Sequence, residues 1–190
     1  RQQAGAVVID TRDAAQFAAG HVRGSVNVGL DGRFAEYVGT VVTPERPVVL
    51  VTDPGTESEA RVRLGRIGYD DVVGVLRDTY TALADNGESV ERSSRLTAAE
   101  LDRAIDEHSD LALIDVRNPG ETALGIIDGA LTIPLAQLTT RVGELDPSRP
   151  TVVYCAGGYR SSVAASRLVA AGFEDVSDLL GGYGAWAAHR

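Results

Sequence analysis

The order of apolar and polar positions along the chain predicts an alternating α/β protein. In the second half, "LALID" (111–115), "ALTI" (130–133), "TVVYC" (151–155) and "EDVSDL" (174–179) are short runs with little polar alternation. Such runs suit strands buried on both faces of a mostly parallel sheet. Between them, "PLAQLTTRVGEL" (134–145) and "SSVAASRLVAAG" (161–172) carry helical spacing. The first half repeats the pattern. "AVVIDTRDAAQFAAGHVRGSVNVGL" (6–30) lies over "LALIDVRNPGETALGIIDGALTIPL" (111–135) without a gap. Asp10 and Arg12 match Asp115 and Arg117, Gly20 matches Gly125, Gly24 matches Gly129, and Leu30 matches Leu135. Further on, "RPVVLV" (46–51) matches "RPTVVY" (149–154), and "RIGYDDV" (66–72) matches "AAGFEDV" (170–176). One α/β unit has been duplicated, so the expected architecture is two tandem domains, each a small, mostly parallel sheet flanked by helices.

The polar stretch "DNGESVERSSR" (85–95) lacks apolar periodicity and reads as a loop between the copies. The next segment, "LTAAELDRAIDEH", predicts a helix, with Thr97 and Glu100 as a capping box and Leu101 and Ile105 beginning an apolar face. The boundary is placed near Ser93, giving domains of residues 1–92 and 93–190.

Composition narrows the classes of function. The chain has 190 residues, 44% hydrophobic and 24% charged, as in ordinary soluble globular proteins. No apolar run approaches the roughly 20 residues of a membrane span, and no signal peptide precedes "AVVID". A net charge of -9 is a poor match for nucleic acid or an anionic membrane. All 18 basic residues are arginines. With no methionine in the chain, Arg1 is expected not to be the native start, and the chain is expected to be part of something larger. A single cysteine cannot form an internal disulfide, so a reducing, cytoplasmic setting is expected.

That cysteine holds the candidate chemistry. Cys155 ends an apolar run and is followed by Ala156, Gly157, Gly158, Tyr159 and Arg160, with Ser161 or Ser162 able to cap the next helix. A helix N-terminus offers unpaired amide hydrogens and partial positive charge. Two glycines let successive amides turn inward as an anion-binding nest, and Arg160 adds a fixed cation. Each of these favours a thiolate over a thiol. A buried cysteine is otherwise a small, inert core residue, but core packing does not call for Gly-Gly-x-Arg after a strand.

"CAGGYRS" resembles the active-site loop of the rhodanese (thiosulfate sulfurtransferase) superfamily. "DTRDAAQFAAGHVRGSVNVGL" resembles that family's first signature, and "LLGGYGAW" its C-terminal Gly-Gly…Trp signature. The resemblance covers nearly the whole chain as two rhodanese-like domains. Together with "DPGTESEARVRLGRIGYDDVVG" in the first half, it is most similar to the C-terminal tandem region of bacterial fusions that carry an N-terminal metallo-β-lactamase-fold persulfide dioxygenase domain. The first copy departs at the loop. Anchored on the strand, Thr52 stands opposite Cys155; anchored on the helix, Val51 does, because the first loop is one residue shorter. Neither register supplies a thiol, and Gly55 or Thr56 falls opposite Arg160. Asp53 and Glu57 put negative charge near the nest. The first domain is therefore expected to be catalytically silent. In the second copy, Ile126 takes the place of the family's usual histidine, which survives as His21. This leaves open whether a hydrogen bond supporting the loop is missing.

The resemblance implies a double displacement at Cys155. The sulfur donor would be thiosulfate or a low-molecular-weight persulfide, and the acceptor a thiol, or cyanide in an assay. Residues 156–161 would cradle the persulfide, with Arg160 orienting an anionic donor. The rival readings are phosphatase or arsenate-reductase chemistry, performed by relatives of the fold, and a non-catalytic binding module. Phosphatase loops place the arginine one position further from the cysteine than Arg160 stands here, so the shorter nest suits one sulfur atom better than a tetrahedral oxyanion. Asp115 and Arg117 are possible supporting residues. Because Asp10 and Arg12 repeat them in the silent copy, an ion pair of Arg117 with Asp115 or Glu121 is the structural expectation. Tyr159 is expected at the pocket mouth or in packing, and Trp186 as a packing anchor. His21, His108 and His189 lack cysteine partners at zinc spacing. No metal and no cofactor are expected, and any dioxygenase iron would belong to a further domain.

Overall fold

The computed structural model describes residues 1–190, which form two compact units, Arg1–Ser93 and Ser94–Arg190. In the first unit the elements run β1 (Val7–Asp10), α1 (Ala14–Ala19), β2 (His21–Val22), β3 (Val26–Asn27), α2 (Phe34–Val41), β4 (Val48–Val51), α3 (Glu57–Gly65), β5 (Val72–Leu76), α4 (Thr79–Asp85) and β6 (Val90–Glu91). The second unit runs β7 (Ser94–Leu96), α5 (Ala98–Glu107), β8 (Ala112–Asp115), α6 (Pro119–Thr122), β9 (Leu131–Thr132), α7 (Leu135–Arg141), β10 (Thr151–Tyr154), α8 (Tyr159–Val169), β11 (Val176–Leu179) and α9 (Gly182–His189). The first sheet has the order β3-β1-β4-β5 and the second β7-β11-β10-β8-β9, with every pairing in both parallel. The two orders are the same topology, with β7 added at one edge of the second sheet. No helix is long and apolar enough to cross a membrane.

Three of the four apolar runs of the second half fold as buried strands for the reason their pattern gives; "ALTI" instead supplies the two-residue edge strand β9, where Leu131 is 44% exposed. All four residues of β10 are buried, as are all four of β11. A strand covered on both faces takes a charged side chain only where it is paired, as Asp178 of β11 is with Arg95. The core of the second unit gathers Leu101, Leu113, Ile127, Val152, Tyr154, Leu179 and Trp186, which makes Trp186 a packing residue. The Thr97–Glu100 capping box is present, and its hydrogen bonds hold the Glu100 carboxyl below its ordinary range.

Three local expectations change. The polar stretch 85–95 is not all loop. It contains a 3-10 turn at Gly87–Ser89, β6, and the first two residues of β7. β6 pairs antiparallel with His21–Val22, and Arg95 of β7 is stabilised by an ion pair with Asp178. Both are tertiary contacts that local polarity does not encode. Neither Ser161 nor Ser162 caps the helix after the cysteine. Gly158 stands at the N-cap with φ 106°, so α8 has already begun at Tyr159. The second loop is also not the longer one. Strand and helix are joined by residues 52–56 in the first unit and 155–158 in the second, while α8 has 11 residues against 9 in α3. The extra residue of the second copy is taken up as helix.

Candidate active site

β8 and β10 are neighbours in register, with Asp115 opposite Tyr154, so Asp115 and Cys155 come to the same carboxyl edge of the sheet. This edge is where ligands gather in open parallel sheets. Cys155 is only 2% exposed. Its sulfur accepts a hydrogen bond from the Gly158 amide at 3.1 Å and lies 3.7 Å from the Ser161 hydroxyl oxygen, which in turn donates to the Gly158 carbonyl at 3.1 Å. A backbone donor aimed at sulfur from the start of an 11-residue helix is a contact that suits an anionic sulfur. Ala156 and Gly157 are exposed beside it, while Tyr159 and Arg160 are half-buried.

The loop is held from beneath by α9. The Tyr183 amide donates to the Cys155 carbonyl at 2.7 Å, and the Gly184 amide to the Ala156 carbonyl at 3.1 Å. This approach requires Gly182, at φ 56°, where a Cβ would lie 2.3 Å from the Cys155 carbonyl oxygen. In the first unit Thr79 opens the equivalent helix, α4, and Asp78 adopts φ 50° where Gly181 stands in the second. The Gly-Gly signature is thus a seat for the cysteine loop, a role the sequence reading did not assign to it.

Asp115 and Arg117 form the expected ion pair. Arg117 donates to Asp115 through Nε at 3.0 Å and Nη2 at 2.6 Å, and Nη2 also reaches the Gly125 carbonyl at 2.7 Å. Arg12 repeats this with Asp10 and the Gly20 carbonyl, at 3.0, 2.6 and 2.9 Å. Burial is the largest single influence on both arginines and lowers them, but the hydrogen bond and charge of the paired carboxylate together outweigh it and hold both above their ordinary range. The motif therefore ties strand to loop in either copy. In the second copy it does something more: the Arg117 guanidinium lies over the Tyr183 ring at 4.0 Å, and the amide of that tyrosine holds Cys155. The ring fits because residue 125 is glycine, where a Cβ would meet the Tyr183 hydroxyl at 2.5 Å.

Arg160 is engaged by Glu121. Its Nη1 and Nη2 donate to the two carboxylate oxygens at 2.7 and 2.6 Å. Those bonds are the main reason the Glu121 carboxyl is pushed down to about 2, with the Asn118 amide and the Arg117 charge adding to the effect and burial opposing it. This partnership spans 39 positions in sequence and carried no local signal. Beneath the loop, Asp178 is paired with Arg95 at 2.9 and 3.1 Å. Burial raises the Asp178 carboxyl above its ordinary range, and the hydrogen bonds and charge of Arg95 pull it back. Tyr154, which accepts a bond from the Ile127 amide at 3.1 Å, is raised chiefly by burial.

In the first unit His21 stacks on Phe17 at 3.7 Å, and its Nδ1 lies 2.9 Å from the Phe17 carbonyl, while burial lowers its pKa. It buttresses the end of α1 rather than the 52–56 loop. Ile126, 40% exposed, therefore withdraws no loop hydrogen bond of the kind His21 makes. No group of three His, Cys, Asp or Glu side chains is arranged to hold a metal ion.

A family model described as "Rhodanese-like domain" matches residues 1–86 and again residues 97–189. The chain belongs to the rhodanese family. Its two rhodanese-like units resemble several curated relatives. The chain is 34% identical over 144 residues to the "Probable adenylyltransferase/sulfurtransferase MoeZ" of Mycobacterium tuberculosis, covering 75% of this chain and 34% of that protein. The chain thus spans about a third of that relative's length. A protein named "Sulfurtransferase" from Allochromatium vinosum is 34% identical over 96 residues, 50% of this chain and 90% of its own. The "Thiosulfate sulfurtransferase GlpE" of Shewanella oneidensis is 38% identical over 80 residues, 42% of this chain and 79% of its own. Among solved structures, thiosulfate sulfurtransferase from Pseudomonas aeruginosa aligns over 97% of this chain and 39% of its own, at 25% identity and a TM-score of 0.47.

Proposed function

We propose that the second unit is a sulfurtransferase that carries sulfane sulfur on Cys155. The observation that carries this reading is the Gly158 amide aimed at the Cys155 sulfur, within a loop clamped by the Tyr183 and Gly184 amides. The sulfurtransferase names of the relatives support it at the level of the family. In the first half-reaction the Cys155 thiolate attacks the outer sulfur of the donor. A new S–S bond forms, the donor's own S–S bond breaks, and sulfite or a thiolate leaves with the electron pair. In the second, an acceptor thiolate or cyanide attacks the outer sulfur and Cys155 departs as thiolate. The amides of residues 156–161 cradle the persulfide. Asp115 and Arg117 act through Tyr183 as positioning residues.

The first unit, with Thr52 after the strand that corresponds to β10, is proposed to be catalytically silent. Placement beside a persulfide dioxygenase domain, in a reducing cytoplasm, belongs to the same proposal; its support is the resemblance of the tandem region and the unpaired Cys155. Thiosulfate:cyanide transfer by the full chain and by Cys155→Ser tests the activity. The expected result is thiocyanate from the wild type and none from the variant. Wild-type rates in Cys155→Ser would remove the assignment.

A further inference from the structure

The site of a thiolate that attacks anionic donors is expected to hold net positive charge. Here each arginine around the Cys155 loop is matched by a carboxylate: Arg95 by Asp178, Arg117 by Asp115 and Arg160 by Glu121. Two of these carboxylates are buried and serve the fold. Glu121 differs: its side chain is 35% exposed, and it takes both Nη atoms of the loop's own cation. Three and five residues after it come two apolar side chains open to solvent, Leu124 at 87% and Ile126 at 40% exposure. In the silent copy the aligned residue is Gln16, uncharged, whose amide bonds Asp53 and Tyr80.

We propose that Glu121 is a specificity-determining residue that selects the sulfur donor, disfavouring the thiosulfate dianion and favouring organic persulfides whose body carries no further charge. A dianion reaching Arg160 must share it with a fixed carboxylate or displace one. A persulfide brings its negative charge on the reacting sulfur end, where the loop amides are, and can lay an apolar body beside Leu124 and Ile126. Removing one like charge from an aqueous mouth at about 7 Å eases the approach of a dianion by about sevenfold and of a monoanion by about threefold, so discrimination between them shifts by about threefold. This inference rests on the sulfurtransferase reading of Cys155.

The test measures kcat/KM for two donors, thiosulfate and 2-mercaptoethanol persulfide, with cyanide as acceptor, in the full chain and in Glu121→Gln and Glu121→Asp. Glutamine keeps an oxygen for the Asn118 amide and drops the charge; aspartate keeps the charge. The expected result is a thiosulfate-to-persulfide ratio that rises about threefold in Glu121→Gln, mainly through KM for thiosulfate, and stays low in Glu121→Asp. A residue that merely holds the loop would lower both donors together and leave the ratio unmoved; that result, or a ratio that falls, overturns the proposal. If Glu121→Gln fails to fold, a wild-type ratio already favouring thiosulfate overturns it equally, and one favouring the persulfide supports it. Absence of transfer from either donor in the wild type would instead overturn the sulfurtransferase reading, and this inference with it.

Discussion

Gly182→Ala places a methyl group against the cysteine loop. The new Cβ would lie 2.3 Å from the Cys155 carbonyl oxygen and 2.8 Å from the Ala156 carbonyl carbon, where ordinary contact begins at 3.4 Å. Relieving the closer overlap moves the loop by about 1 Å, the difference between those separations, and a misplacement of that size costs about 100-fold in rate. Stability falls too. A side chain in the left-handed region costs about 1–2 kcal/mol, and forcing a methyl into packed backbone adds about 1–3 kcal/mol. Gly181→Ala is the matched control. It has φ 68°, and its Cβ meets only Ala185, at 2.7 Å from that residue's Cβ and 3.9 Å from its Cα. The assay pairs urea unfolding with kcat/KM for sulfur transfer per folded molecule. Both variants are expected to lose stability, while only Gly182→Ala loses about 100-fold in transfer. A folded Gly182→Ala chain retaining kcat/KM within about threefold of wild type would refute the idea that α9 sets the loop position.

The remaining predictions concern the ion pairs and the rival chemistry. The Glu121 carboxyl sits at about 2 in the fold against its ordinary 4.5, so the Arg160 pair stabilises the fold above pH 4.5 and that contribution is lost as pH falls toward 2. At 1.36 kcal/mol per pH unit the pair would carry roughly 3 kcal/mol, and solvent screening of a carboxylate one-third exposed reduces this to about 1 kcal/mol. The stability gap between wild type and Glu121→Gln should therefore be about 1 kcal/mol at pH 6 and narrower at pH 3 in urea unfolding; a gap that widens on acidification contradicts the sign. Arg117→Ala leaves Asp115, which is 0% exposed, unpaired, and should cost about 3–5 kcal/mol. Arg12→Ala should cost a similar amount in the first unit, but only Arg117→Ala should also reduce sulfur transfer, because only Arg117 carries the tyrosine that holds Cys155; equal transfer activity in the two variants would contradict that role. An aryl-phosphate assay should show no Cys155-dependent turnover, and clear turnover would favour the phosphatase reading.

Much of this architecture is readable in the residues themselves. "LALID" and "TVVYC" announce buried parallel strands because their runs are continuous and mostly apolar, with the one charged position, Asp115, at a strand end. The duplication shows that Asp115 and Arg117 serve the fold, since Asp10 and Arg12 repeat them where no thiol exists. Other features depend on contacts between distant segments. Nothing local says that Glu121 clasps Arg160, or that Gly182 lies against the Cys155 carbonyl, because both depend on where parallel strands bring their following loops. The serines after Arg160 look like helix caps, but Gly158 in the left-handed region starts the helix before them. Polar composition at 85–95 likewise hid β6, whose two residues are strand only by virtue of pairing with His21–Val22.

Sulfur transfer by this mechanism requires Cys155 to carry sulfur, and intact-mass measurement of the donor-treated full chain tests this most directly. The wild type should gain one sulfur atom on treatment with thiosulfate or an organic persulfide, lose it on addition of cyanide or a thiol, and show no gain as Cys155→Ser. An unchanged mass under excess of both donors, or a gain that survives in Cys155→Ser, would contradict it.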